Sequence, residues 1–294
     1  IRKKGRDSET LNIIYVTDTE WKLMDAVELH RFILADPRQK VAELMSHSVI
    51  SISAFEDREE AVHMMLRYDI LALPVVDSEG VLLGVVTFDD VMDVAQAEAT
   101  EDFHKGAAVT PLKGSYRETG IWELYKSRIV WLLGLVVVNL LSLELMAYYE
   151  ELLASTIALT FFIPLLLGSG GNTGSQSSTI MVRGLATGDI EVSQWAASLA
   201  KELIVGLALG LTMGLAGVVL GTWKGGLTIA LIVGLTMLLI IVVANLIGVI
   251  LPLVLTKLDL DPAVASNPLI TSITDATGLL IFFAISRWIL VWIH

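Results

Sequence analysis

Asn267-Pro268-Leu269-Ile270-Thr271-Ser272-Ile273-Thr274-Asp275 lies inside Ala263–Ile285, a run apolar and long enough to cross a bilayer, and Asp275 is its one charged side chain. An ionisable group at that depth costs at least about 2.5–3.5 kcal/mol on insertion scales, so it faces a polar cavity or pathway rather than lipid. Asn267, Thr271 and Asp275 recur every fourth residue and share one helix face, with Thr274 and Gly278 beside it. The nearest basic residue on the same helix is Arg287, about 18 Å along the axis at 1.5 Å per residue. A same-helix ion pair is therefore out of reach, and the reading is that these oxygens meet a cation. A twofold axis would bring two copies of Asp275 together, and they would repel unless a cation sat between them.

Working outward, the 294 residues are 54% hydrophobic, with a mean hydropathy of +0.68. The excess is confined to the second half. Residues 1–126 carry 14 Lys+Arg against 23 Asp+Glu, a net of −9, whereas residues 127–294 carry 6 against 9, a net of −3. An acidic soluble part followed by a membrane part is expected. Acidic surface argues against a nucleic-acid partner, which needs basic surface. The absence of cysteine removes disulfides and thiolate metal sites. The chain opens on Ile1 rather than Met, which reads as a fragment.

Five apolar segments follow residue 120, at roughly Lys126–Tyr148, Ser155–Arg183, Trp195–Leu220, Leu227–Leu255 and Ala263–Trp292. Each exceeds the roughly 20 residues that a span requires. Lys126, Arg128, Arg183, Lys201 and Lys257 gather on one side of these segments, while the first connection carries Glu150 and Glu151 and no Lys or Arg. By the positive-inside bias the soluble part is cytoplasmic and the C-terminus lies outside, in the cell (inner) membrane.

The soluble part repeats itself. Val16-Thr17-Asp18 followed by Leu23, Asp25 and Val27 returns 59 residues later as Val75-Val76-Asp77 followed by Leu82, Gly84 and Val86. Each copy reads as strand, acidic turn, strand, helix, and a further helix over about Asp57–Tyr68 precedes the second copy. The first copy lacks its opening strand and helix.

This repeat resembles a tandem CBS pair, most clearly in Leu73-Pro74-Val75-Val76-Asp77 and in Gly84-Val85-Val86-Thr87-Phe88-Asp89-Asp90-Val91. The resemblance implies that Thr87 and Asp90 hold the ribose of an adenine nucleotide such as ATP; the first copy has Arg31-Phe32 at that point. The membrane half resembles the MgtE family of magnesium channels. The match is carried by Pro164-Leu165-Leu166-Leu167-Gly168-Ser169-Gly170-Gly171-Asn172-Thr173-Gly174-Ser175-Gln176, by Arg183-Gly184-Leu185-Ala186, by Asn267 to Asp275, and by Glu98-Ala99-Thr100-Glu101-Asp102-Phe103. The expected architecture is an α+β CBS (Bateman) module over residues 1–92 with an incomplete first repeat. An acidic connecting (plug) helix and linker over 93–120 and an all-α five-helix transmembrane domain over 121–294 follow. The resemblance also implies a homodimer with its pore between the two membrane parts. The family's N-terminal acidic helical domain is missing.

On the second span, Gly168, Gly170, Gly171 and Gly174 either expose backbone carbonyls or admit a close neighbour, and small-residue packing explains them equally well. Asn172, Ser175, Gln176 and Thr179 add a polar side that favours a pore wall. The resemblance points to Gly168, Gly171, Ser175 and Thr179 as pore-lining. Carboxylate, amide, hydroxyl and carbonyl oxygens without Cys or His favour a hard cation. One carboxylate per chain suits an ion that keeps its waters, as Mg²⁺ does; Ca²⁺, Mn²⁺ and Co²⁺ stay open on the residues alone, and the resemblance selects Mg²⁺.

Asp89, Asp90, Asp93, Glu98, Glu101 and Asp102 form an acidic stretch before the first span, with Lys105 close by. Glu98, Glu101 and Asp102 share a helix face, where like charges destabilise. With Asp57, Glu59 and Asp69 they read as a cytoplasmic sensor: at high Mg²⁺ the bridged carboxylates hold the connecting helices against the pore mouth, and at low Mg²⁺ they repel. The expectation is a gated Mg²⁺ channel for uptake. The alternatives are a proton- or sodium-coupled transporter of divalent cations such as Mn²⁺ or Co²⁺, and a non-transporting sensor. No Walker loop, nucleophile elbow or metal-ligand His pair suggests an enzyme.

Overall fold

The two copies of the repeat superimpose element by element in sequence. In the computed structural model, which describes residues 1, 5, 8–112, 114–190 and 192–293, β1 (Ile13–Thr17) and β2 (Leu23–Glu28) form an antiparallel pair, followed by α1 (Leu29–Leu34). Fifty-nine residues later β4 (Ala72–Val76), β5 (Leu82–Thr87) and α3 (Phe88–Gly106) repeat the order, and β3 (Ile52–Ser53) adds in parallel to β4. The acidic turns are the same device twice. Asp18 Oδ1 accepts from the Glu20 and Lys22 amides, and Asp77 Oδ1 from the Glu79 and Val81 amides, all at 2.9 Å. Both turns need a left-handed residue before the second strand. Gly80 supplies it at φ 81°, while Trp21 is forced to φ 64°, a strained setting for a bulky side chain. The turns then pair reciprocally, the Leu23 amide donating to Gly80 O and the Leu82 amide to Trp21 O, both at 2.9 Å.

The second copy owns a core: Ile52, Ala61, Val62, Met65, Leu73 and Val91 pack around α2 (Arg58–Tyr68). Asp57 caps α2 by accepting from the Glu59 amide at 3.0 Å, and Asp69 ends it in the left-handed conformation at φ 53°. The first copy compensates with Asp25, which is fully buried and accepts from the Ser46, His47 and Ala26 amides. Burial pushes the Asp25 carboxyl up, but those amides outweigh it and hold it below the usual carboxylate range. The Tyr15 hydroxyl donates to Ala72 O across the copies, and burial pushes its pKa up to about 12.

The chain divides into two compact units, Ile1–Thr100 and Glu101–His294. Helix α3 runs unbroken through residue 93, so one helix carries both the end of the second repeat and the acidic stretch. In the second unit α4 (Ile121–Tyr148), α5 (Glu150–Ser155), α6 (Ile163–Ala186), α7 (Trp195–Lys257) and α8 (Asn267–Ile293) follow, with a 3-10 turn over Ile157–Phe162 opening into α6. Among the described residues four helices are long and apolar enough to cross a membrane. One of them, α7, has 63 residues and would be about 95 Å long if straight. It breaks at Gly226, whose φ of 78° and ψ of −171° turn the chain back. Gly221 then meets Ala230, Gly217 meets Val233 and Gly234, and Gly210 meets Leu238, backbone against backbone, while Gly206 faces the Asn245 side chain. The third and fourth expected spans are the two legs of this hairpin. Leu159, Phe162, Leu166, Ile232, Met237, Ile240, Leu279, Phe282 and Phe283 fill the core between α6, α7 and α8. Helix α4 touches α8 along one stripe and is otherwise exposed.

Candidate cation site and acidic helix

Helix α8 begins at Asn267, with Pro268 directly after it, where a missing N–H costs nothing. From there the fourfold spacing carries Thr271 and Asp275 up one face. Thr271 Oγ1 donates back to Asn267 O at 2.9 Å, and Thr179 Oγ1 of α6 donates to Ser175 O at 2.8 Å. Between the two helices the contacts are looser. Ser175 Oγ lies 3.4 Å from Thr271 Oγ1 and 3.5 Å from Asn267 O, and Thr179 Oγ1 lies 3.4 Å from Asn267 Oδ1. These oxygens face one another with lone pairs to spare. Asp275 is half-buried just beyond them, and none of the ion pairs among the described residues involves it. Arg183 and Lys201 are both exposed.

The α6 glycines separate into two kinds. A Cβ at Gly170 would strike Ile240, at Gly171 Thr271 Cγ2 (2.9 Å), and at Gly174 Ile270 Cγ2 (2.9 Å). Packing accounts for these three. Gly168 is exposed with open space in front of it, in line with exposed Asn172, Gln176 and Thr179. The seam thus offers one carboxylate with amide, hydroxyl and carbonyl oxygens. Among the described residues no group of three or more His, Cys, Asp or Glu could enclose a metal. Such a donor set suits a hard cation that arrives with its own waters.

Within the N-terminal unit the acidic residues are not gathered into one place. Asp57 and Asp69 cap opposite ends of the 11-residue α2, about 18 Å apart along its axis. Asp93 is exposed on α3. Glu98 Oε1 is held by Arg58 through Nε and Nη2, each at 2.7 Å. Lys105 Nζ lies 2.6 Å from both Glu101 Oε1 and Asp261 Oδ2. Burial pulls the Lys105 ammonium down, but the Asp261 and Glu101 carboxylates outweigh it and hold it above the ordinary lysine value. Sequence reasoning missed Asp261, although Asp261-Pro262 is a turn-capping signal; its Oδ1 accepts from the Ala263 amide at 2.8 Å. The pair Thr87 and Asp90 is joined directly, Thr87 Oγ1 donating to Asp90 Oδ2 at 3.0 Å.

A CBS fold joined to a bundle of membrane-length apolar helices defines the class of protein. Residues 163–285 match the model of the MgtE divalent cation transporter family, and residues 41–97 match the CBS domain. The magnesium transporter MgtE of Thermus thermophilus is 42% identical over 290 residues, covering 99% of this chain and 64% of that protein. The magnesium transporter MgtE of Bacillus subtilis is 35% identical over 280 residues, covering 95% and 62%. A solved cytosolic domain of the Mg²⁺ channel MgtE in complex with ATP aligns at 45% identity over 32% of this chain and 38% of that one, with a TM-score of 0.31. The chain is thus similar to the MgtE family over residues 163–285, and these relatives are named as magnesium transporters. It spans less than two thirds of the length of these relatives.

Proposed function

We propose that this chain moves Mg²⁺ across the cell membrane, taking it up through a passage at the α6–α8 seam that two copies of the chain share. The observation that carries the reading is Asp275: a half-buried carboxylate with no basic partner among the described residues, beside the under-bonded oxygens of Asn267, Thr271, Ser175 and Thr179. A dication with its water shell supplies what those oxygens lack. A second copy would double the carboxylate charge around one ion. The naming of the relatives as magnesium transporters supports Mg²⁺ as cargo. The charge bias supports a cytoplasmic N-terminal unit and a C-terminus outside.

In this reading cytoplasmic Mg²⁺ also acts on the acidic residues of α3 and slows transport. It competes with the intramolecular cations: Arg58 at Glu98, and Lys105 at Glu101 and Asp261. Ions stabilise only the state that binds them better. Replacing Glu101 and Asp102 with Ala should leave currents insensitive to cytoplasmic Mg²⁺, and unchanged block would defeat the sensor. An adenine nucleotide at Thr87 and Asp90 would tune the same equilibrium; calorimetry with ATP on the wild type and Thr87→Ala decides that.

The deciding experiment is Mg²⁺ uptake into liposomes by the wild type and Asp275→Asn, with Ca²⁺ and Mn²⁺ as competitors. A large loss of uptake is expected, and full uptake by the variant overturns the reading. Uptake that follows an imposed proton or sodium gradient would instead favour a coupled transporter.

A further inference from the structure

Helix α6 carries oxygens on both of its sides. Ser175 and Thr179 lie toward Asn267 and Thr271 of α8, but Ser177 is rotated by about 200° from each of them and is buried. Its hydroxyl donates to Asn245 Oδ1 on the second leg of α7. Asn245 is 1% exposed, and its amide nitrogen donates to Glu202 O at 2.7 Å and Glu202 Oε2 at 2.9 Å on the first leg. The carboxamide spends both hydrogens on the first leg of α7 and an oxygen lone pair on α6. Gly206 makes room for it, since a Cβ there would lie 3.2 Å from Asn245 Nδ2. Three residues on from Asn245, Gly248 meets Gly174 O and Ser177 directly, so α6 and the second leg touch through their backbones. The hydrogen bonds of Glu202, Asn245 and Ser177 lie on the side of α6 turned away from Asn267 and Thr271.

We propose that Glu202, Asn245 and Ser177 form a clasp that fixes the rotation of α6 from behind and so sets where Ser175 and Thr179 stand against α8. They are positioning residues, and the proposal rests on the α6–α8 reading above. Rotation is what matters because the seam contacts sit at 3.4–3.5 Å, where a small turn of α6 breaks them. Replacing the carboxamide by a carboxylate removes both donors and points three acceptors at one another in an apolar setting, where unsatisfied groups cost several kcal/mol.

The chain has no cysteine, so a single engineered pair reports the seam without background. In the full chain, reconstituted, S175C/T271C should cross-link rapidly. Adding N245D should slow cross-linking at least tenfold, and E202Q with N245D, which exchanges donor and acceptor between the two side chains but leaves the residue 202 carbonyl facing the carboxylate, should recover at least about threefold of that loss. S177A, which leaves a small buried gap and no charge, should slow it severalfold and keeps the test alive if N245D does not fold. In chains without the added cysteines, N245D should raise the Mg²⁺ concentration for half-maximal uptake, and the double exchange should lower it again. Cross-linking by S177A or folded N245D as fast as the parent overturns the clasp, and so does a double exchange no better than N245D alone. Asp275→Asn in the same vesicles keeps the two ideas apart: its full uptake would sink the pore reading while the cross-linking rates still judge the clasp.

Discussion

Asp25 and Asp275 are both carboxylates withdrawn from water, and the fold treats them in opposite ways. Asp25 is closed: three backbone amides and the Ser46 hydroxyl surround it, and no lone pair is left for a ligand. Asp275 is open: half-buried, beside oxygens at 3.4–3.5 Å that bond each other weakly. The same division runs through α6, whose buried side bonds Asn245 closely while its other side keeps loose contacts with α8. Buried polar groups are expected to find partners. A closed carboxylate is a fastening. An open one is where the proposed function brings in a partner from outside.

The contrast can be broken or sharpened by substitution. The largest effect should come from Asp275→Asn, which leaves the packing but removes the charge. At about 1.5–3 kcal/mol per hydrogen bond to a charged group, uptake should fall on the order of 100-fold at limiting Mg²⁺, measured in liposomes, with the melting temperature nearly unchanged. Asp25→Ala should do the reverse: transport per folded molecule unaffected, and the N-terminal unit weaker by about 3 kcal/mol, because the Ser46 and His47 amides lose their acceptor. Hydrogen exchange at those two amides reads it. The pH dependence of that fastening has a definite sign. The native carboxyl titrates below the unfolded one, so its stabilisation is present above the unfolded value of about 3.9 and is lost as pH falls through the native one. Exchange at Ser46 and His47 should accelerate there in the wild type and not in Asp25→Asn. The smallest effects belong to Ser175→Ala and Thr271→Val. Contacts at 3.4 Å contribute little, so each should raise the half-saturating Mg²⁺ only a few-fold.

Much of this was legible in the sequence because it is local. The 59-residue offset predicts both turns, both strand pairs and the start of both helices, and the fourfold spacing predicts the α8 face. Gly226 falls between the expected segments Trp195–Leu220 and Leu227–Leu255, and it is the point where α7 reverses. What the sequence left open was partnership. The α6 glycines read equally as lining or packing; Gly170, Gly171 and Gly174 pack, and Gly168 stays open. Glu98 and Glu101 read as repelling charges, yet Arg58 and Lys105 neutralise them. Lys105 also reaches Asp261, 156 residues away, which no spacing rule foresees. Asn245 was visible as the one amide in an apolar leg, but its meaning depends on Glu202 and Ser177 arriving from two other helices.

The reversal at Gly226 also bears on how the protein is made. Its two legs fit together through glycine backbones and so can enter a bilayer as one paired body rather than one after the other. Between Thr222 and Leu227 the leading end bears a single formal charge, Lys224, whose ammonium rests 4.5 Å above the exposed Trp223 ring. In the proposed topology that one ammonium is all the ionic freight the leading end of the hairpin has to ferry to the far side.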